Sequence, residues 1–246
     1  MRNSESWTPS KFVYKNGELR ANKDLQQVSL SSRLAVELVA MQYNRYLSDF
    51  ATGSLLDLGC GKVPFYQAYS SYVSQATCVD WGESLHQSSY VDELCDLNQP
   101  LPFATETFDT VLSSDVLEHL LEPQMTIREV ARVLTPSGTF IFNTPFMYWL
   151  HEQPHDYYRY TRFAIERMAN EAGLEVVVLN EVGGALEVAA DVLSKFFNKL
   201  PILGKPVCWL IQSAAIALAR TRLGQKIMQR TQSVMPMGYF TVLRKK

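Results

Sequence analysis

"LLDLGCGKVPFY", residues 55–66, decides the fold of this chain. A short apolar run ends on a carboxylate, Asp57, and passes through Gly59, Cys60 and Gly61 into what reads as a short helix with Pro64 near its start. Two glycines in one turn allow the backbone to bend tightly and to approach a ligand closely. The usual phosphate-binding loops do not fit. No glycine stands five residues before Gly61 and no Ser or Thr follows Lys62, so this is not a P-loop; Pro64 occupies the third glycine position of the dinucleotide fingerprint.

Working outward, "ATCVD" (76–80) reads as a second strand, "YVDELCDL" (90–97) holds a third, and "TFDTVLSSD" (107–115), "GTFIFNTPF" (138–146), "LEVVVLNEV" (174–182) and "GYFTVLRKK" (238–246) follow. Between them lie helical patterns. Residues 29–50 carry Leu30, Leu34, Leu38, Met41 and Leu47 at helical spacing, and "PQMTIREVARVL" (123–134) turns Met125, Ile127, Val130 and Val133 to the core. "TRFAIERMANEAG" (161–173) is opened by Thr161 and closed by Gly173. Alternating strands and helices predict an α/β fold with a largely parallel sheet, in which ligands sit at the carboxyl ends of the strands. Asp80 ends the second strand, about 20 residues beyond the glycines, where an acid accepts hydrogen bonds from ribose hydroxyls. Asp57 repels a phosphate and suits an ammonium group. A phosphate-free, positively charged nucleoside satisfies both, and S-adenosylmethionine is such a ligand.

Composition agrees with one globular enzyme-sized unit. The 246 residues are 47% hydrophobic and 20% charged, and Cys60, Cys78, Cys95 and Cys208 lie far apart without a CxxC pair, against a disulfide framework or a zinc site. The polar start "MRNSESWTPSKF" is not expected to be a secretory signal, so a cytoplasmic location is expected. Net charge is −2, but from Val192 onward there are 10 basic residues and no acid, leaving 13 basic against 25 acidic residues before it: −12 and +10.

"LLDLGCG", "CVDW", "CDLNQPLPFATETFDTVLSSDVLEHL", "EVARVLTPSGTFIFNTPF" and the following "AGL" resemble, in order, the motifs of class I S-adenosylmethionine-dependent methyltransferases of the type 11 kind. The resemblance covers residues 54–183 and the last strand. It implies a Rossmann-like seven-stranded sheet, order 3-2-1-4-5-7-6, with strand 7 antiparallel. It also implies that Asp57, Gly59, Cys60 and Gly61 surround the methionine part of the cofactor and that Asp80 binds its ribose. Trp81 then lies on the adenine, Asp96 and Leu97 meet the adenine's amino edge, and Ser113 and Ser114 present backbone to the cofactor. The domains implied are an N-terminal helical segment 1–50, a core 51–183, a basic helical insertion 184–235 and a last core strand 236–246.

Methyl transfer is an in-line displacement, so the protein chiefly aligns the acceptor and takes its proton. "HEQPHDYYRYT" (151–161) follows the fifth strand at the active edge of the sheet and resembles segments of bacterial polysaccharide-associated methyltransferases. His155 beside Asp156 is the preferred general base and His151 the second; His119 of "VLEHL" competes, while Glu118 and His119 more often shape the cofactor pocket. Tyr157, Tyr158, Arg159 and Tyr160 form the acceptor wall, and Arg159 pairs with an acidic substrate group or with Asp156. No metal is expected, because Pro154 breaks the helix that would align His151 with His155. His86 reads as surface.

In the insertion, "GALEVAADVLSKFFNK" (184–199) predicts an amphipathic helix with Leu186, Ala189, Ala190, Leu193 and Phe197 inward, and the 13-residue apolar run "VCWLIQSAAIALA" is too short to span a bilayer. It is a cap over the acceptor, a homodimer face, or a peripheral contact of 184–230 with an anionic membrane; nucleic acid is not expected. The expected activity is O-methylation of a sugar or glycan-precursor hydroxyl, carried on a lipid or free. The alternatives are a small-molecule or quinone methyltransferase and a non-catalytic binding module.

Overall fold

Leu55, Leu56 and Leu58 have no exposed surface because their strand lies at the centre of a sheet covered on both faces. The structure is a computed structural model, and it describes residues 1–83 and 88–246; His86 lies outside the described residues. Strand β3 (Gly53–Leu58) pairs in parallel with β4 (Val73–Asp80) on one side and β6 (Phe108–Ser114) on the other. With β5 (Glu93–Leu94), β7 (Leu134–Pro145), β8 (Leu174–Val182) and β9 (Gly238–Lys245), the order is β5-β4-β3-β6-β7-β9-β8, with β9 antiparallel to both neighbours. In core numbering this is 3-2-1-4-5-7-6, as the resemblance implied.

Helices α3 (Pro123–Val133) and α4 (Arg162–Glu171) cover one face of the sheet, burying Ile127, Val130, Val133, Ile165 and Ala169. Thr161 caps α4 by accepting the Ala164 N–H at 3.3 Å. Thr126 is buried on α3 through a 2.8 Å bond to the Leu97 carbonyl, while Met125 is only half-buried. Helix α1 (Arg33–Phe50), the short α2 (Tyr66–Tyr69) and the insertion cover the other face.

Two elements depart from expectation. The N-terminal segment is not purely helical: β1 (Phe12–Lys15) and β2 (Glu18–Ala21) form an antiparallel hairpin around Asn16 and Gly17, both at positive φ (55° and 78°). Asn-Gly is a strong signal for this type of turn. The insertion folds as three helices, α5 (Ala185–Asn198), α6 (Gly204–Ala219) and α7 (Arg222–Thr231). Helix α5 presents the opposite side from the one its apolar residues suggested. Leu186, Ala189 and Leu193 are exposed, Phe197 is half-buried, and of the predicted inner set only Ala190 is buried. The inner face carries charged groups that are paired, beside Ser194, whose hydroxyl has no hydrogen-bond partner. The Glu187 carboxylate accepts the Gly184 N–H at 2.9 Å, Asp191 pairs with Lys195, and the Lys195 ammonium sits 3.7 Å from the Tyr148 ring centroid.

Candidate active site

The turn after β3 is built by backbone, and its glycines are required. Gly59 has φ 70°, and a Cβ there would lie 2.6 Å from a Val116 methyl; Gly61 has φ 50°. The Gly59 and Cys60 N–H groups donate to the Val79 carbonyl at 2.9 and 3.0 Å, tying the turn to β4. The Asp80 carboxylate accepts the Gly61 N–H at 3.0 Å through Oδ2 and the Trp81 N–H at 2.9 Å through Oδ1. The carboxylate is thereby held at the carboxyl end of the sheet, facing a cavity of about 650 Å³.

Gly59, Cys60, Gly61, Asp80, Trp81, Asp96, Leu97 and Ser114 all line that cavity, so the expected cofactor residues converge. Asp57 and Ser113 do not: each is buried behind the lining, Asp57 at 3% exposure with the Tyr69 hydroxyl donating to it at 3.2 Å. Asp57 is therefore a support for the turn rather than a wall of the cleft. Sequence reasoning missed the cover, in which Ser10, Lys11, Gln27 and Ser29 come over the cavity from the N-terminal segment. Lys11 locks that cover down with a 2.6 Å ion pair to Asp115.

At the other end of the cavity the 3-10 turn after β6 meets the loop after β7. His119, His151, His155 and Tyr157 line the same cavity. The His119 and His151 rings stand 4.8 Å apart, and the His155 ring packs edge-on to Trp81 at 5.2 Å. His119 Nδ1 lies 2.7 Å from the His155 carbonyl, which can only accept, so Nδ1 carries the proton and Nε2 carries the lone pair. Glu118 has no exposed surface; its Oε1 lies 3.8 Å from His119 Nε2 and 3.7 Å from His151 Nε2. Burial raises its carboxyl above the usual range, against the lowering influence of His151 and His119. Burial also pulls His151 down, but Glu118 and Asp156 outweigh it and the imidazole is raised overall.

Behind this cluster Arg159 grips Asp156 with two bonds, Nη1 to Oδ1 at 2.6 Å and Nη2 to Oδ2 at 2.8 Å. Burial opposes the shift, but these bonds and the His151 N–H hold the Asp156 carboxyl down at about 2. Arg159 also donates to the Trp149 and Tyr158 carbonyls, so it orders the loop and does not face a substrate. Tyr160 is buried with its hydroxyl donating to the Leu117 carbonyl at 2.7 Å, and the Tyr158 hydroxyl donates to the Leu121 carbonyl at 3.0 Å. Of the four residues expected in the acceptor wall, only Tyr157 lines the cavity. Asp156 serves His151, not the adjacent His155: its Oδ2 lies 3.3 Å from His151 Nδ1.

Residues 56–142 match the family model described as a methyltransferase domain. Over those residues the chain carries a methyltransferase domain, and its sheet has the class I strand order. Similar to it is the ubiquinone biosynthesis O-methyltransferase of Coxiella burnetii, 28% identical over 99 residues, 37% of this chain and 42% of that protein. The protein of the same description from Chromobacterium violaceum is 26% identical over 166 residues, 55% of this chain and 70% of its own. The chain thus spans less than half the length of the Coxiella relative. An S-adenosylmethionine-dependent methyltransferase from Mesorhizobium loti shares the fold, with a TM-score of 0.55 and 16% identity over 86% of this chain and all (100%) of that one.

S-adenosylmethionine is the cofactor of such a methyltransferase domain, and the cleft fits it. The side-chain-free Gly59 and Gly61 leave backbone facing the cavity, and Asp80 and Asp96 line it with carboxylates suited to hydroxyl and amino groups rather than to phosphate. Asp57 supplies a pH-dependent test. Burial raises its carboxyl to about 7, against the lowering effect of the Tyr69 hydroxyl. A raised folded-state value favours the protonated form, so this contribution to stability is complete below about pH 4 and is lost as pH rises through about 7. The expected result for Asp57→Asn is a higher melting temperature than the parent at pH 8.5 and no gain at pH 5, measured by thermal unfolding of the ligand-free protein.

Proposed function

We propose that the chain transfers a methyl group from S-adenosylmethionine to a hydroxyl of a small, lipid-borne acceptor. The observation that carries this reading is the single cavity with Asp80, Trp81 and the glycine turn at one end and His119 and His151 at the other. The cofactor, when bound, supplies a methyl already activated by the positive sulfur. The domain's residues then hold the acceptor oxygen in line with that methyl, which is most of the catalysis such a displacement needs. An alcohol or phenol must also shed its proton, and the Glu118–His119–His151 cluster is the group placed to draw charge off that oxygen. His155, against Trp81, belongs to the nucleoside side of the cavity.

The lipid-borne part of the reading rests on the insertion. At the α5–α6 tip, Phe196, Leu200, Ile202, Leu203, Trp209 and Leu210 are exposed, Ile202 by 92% and Leu203 by 70%. Lys199 and Lys205 flank them and no acid occurs from Val192 to the end of the chain, so the tip complements an anionic lipid surface. The patch adjoins the loop that carries His151, since the Lys199 ammonium sits 5.4 Å from the ring centroid of Trp149. No helix among the described residues is long and apolar enough to cross a membrane. The relatives' description as ubiquinone biosynthesis O-methyltransferases favours a lipid-soluble phenol; the HEQPHDYYRYT segment favours a lipid-linked sugar.

Both readings share a hydroxyl acceptor at a membrane, and two experiments test it. Incubation with methyl-labelled S-adenosylmethionine and a total lipid extract should move label into the organic phase, and mild acid then releases it from a sugar-phosphate lipid but not from a methoxyphenol. Label that stays wholly aqueous counts against a lipid-borne acceptor. The protein should also sediment with phosphatidylglycerol vesicles at low salt, and Ile202→Glu combined with Leu203→Glu should weaken that binding at least about tenfold, given about 0.8 kcal/mol per buried methylene. Parent protein that remains in the supernatant contradicts the membrane contact.

A further inference from the structure

Glu118 is fully buried, and neither of its carboxylate oxygens receives a hydrogen bond. Such a group requires a counter-charge, because a buried carboxylate without donors is strongly disfavoured. The two histidines face it at ion-pair rather than hydrogen-bond distance. His119 already donates through Nδ1 to a carbonyl, and its Nε2 has no hydrogen-bond partner. The Nε2 separations of 3.8 and 3.7 Å from Glu118 Oε1 exceed the roughly 3.2 Å limit of a good N–H···O bond. They are near the separation of about 3.4 Å between two ligands that each lie about 2.1 Å from a tetrahedral metal.

The surroundings are those that orient metal-binding imidazoles. A ligating histidine gives its other ring nitrogen to a carbonyl or carboxylate, which fixes the ring and aims the lone pair. His119 is held in this way by the His155 carbonyl at 2.7 Å; His151 Nδ1 lies 3.3 Å from Asp156 without a hydrogen bond, and Asp156 is itself gripped by Arg159. The candidate ligand atoms of Glu118, His119 and His151 all lie within 4.8 Å of one another. Glu152 stands beside them, its Oε2 3.9 Å from His119 Nε2.

We infer that Glu118, His119 and His151 bind a divalent transition-metal cation at the acceptor end of the cavity. Two imidazoles with one carboxylate select manganese, iron(II), cobalt or zinc over calcium or magnesium. This proposal departs from the expectation that no metal is bound, which rests on the pair His151 and His155 alone. Its consequence for catalysis rests on the proposed methyl transfer. The acceptor oxygen coordinates the cation, its proton leaves to water, the new O–CH3 bond forms as the C–S bond breaks, and the electron pair of that bond stays on sulfur.

The test uses the full chain, stripped with chelator and titrated with Mn2+. Loss of the free-ion paramagnetic resonance signal and calorimetry should both report one site per chain. Glu118→Gln and His151→Ala should each weaken Mn2+ binding more than tenfold, and Asp156→Asn, acting through His151, about tenfold. S-adenosylmethionine binding is measured on the same samples with and without metal. If the cofactor binds and Mn2+ and Zn2+ do not, or if Mn2+ binds equally to the parent and to folded Glu118→Gln and His151→Ala, the metal site is wrong while the methyltransferase reading stands. If Mn2+ binds at these residues and the cofactor does not, the metal site stands and the methyltransferase reading fails.

Discussion

Replacing His119 by alanine should lower turnover about 10²- to 10⁴-fold while leaving the affinity for S-adenosylmethionine within about twofold. The reason is its place in the cavity. His119 Nε2 faces Glu118 in the cavity and its Nδ1 is committed to the His155 carbonyl, so removing the ring deletes a group proposed to act on the acceptor oxygen. The cofactor end is built from other residues, on β3, β4 and the segment after β5. Single-turnover transfer to the isolated acceptor, with cofactor affinity measured by calorimetry on the same preparation, checks both halves. An unchanged rate removes His119 from the chemistry.

The second large effect is expected at Asp80. Asp80→Ala removes the carboxylate expected to bind the ribose and releases the Gly61 and Trp81 N–H groups that it holds at 3.0 and 2.9 Å. A hydrogen bond to a charged group contributes about 1.5–3 kcal/mol, so two ribose bonds lost together imply at least about a 100-fold rise in Kd. Asp80→Glu separates the two roles, since it keeps the charge but moves it by one methylene. It should retain more of the fold's stability than Asp80→Ala and still bind the cofactor poorly. Cofactor affinity that survives Asp80→Ala would remove Asp80 from the ribose site.

The cofactor end of the cavity was legible because its parts are contiguous in sequence. Strand, carboxylate, glycine turn and the next strand's terminal acid are local features, and strand order follows from the resemblance they carry. The acceptor end was legible only as a neighbourhood. His119 and His151 are separated by 31 intervening residues and meet only because β6 and β7 are adjacent and end at the same edge. Their sequence neighbours misled: Asp156 stands beside His155 in the chain but serves His151, and Arg159 is spent on Asp156 and carbonyls. On α5 the apolar residues pointed to an inner face, yet Asp191 and Lys195 occupy it because each neutralises the other there. The Asn16-Gly17 turn, by contrast, is a hairpin signal local to the sequence.

The cleft after β3 is expected to seat S-adenosylmethionine and not a phosphate-bearing nucleotide. Calorimetric titration of the unaltered full chain tests it most directly, with S-adenosylmethionine in one arm and NAD+ and ATP in the others. One S-adenosylmethionine per chain and no saturable heat from NAD+ or ATP are the expected results. No binding of S-adenosylmethionine, or equal binding of NAD+, would contradict it.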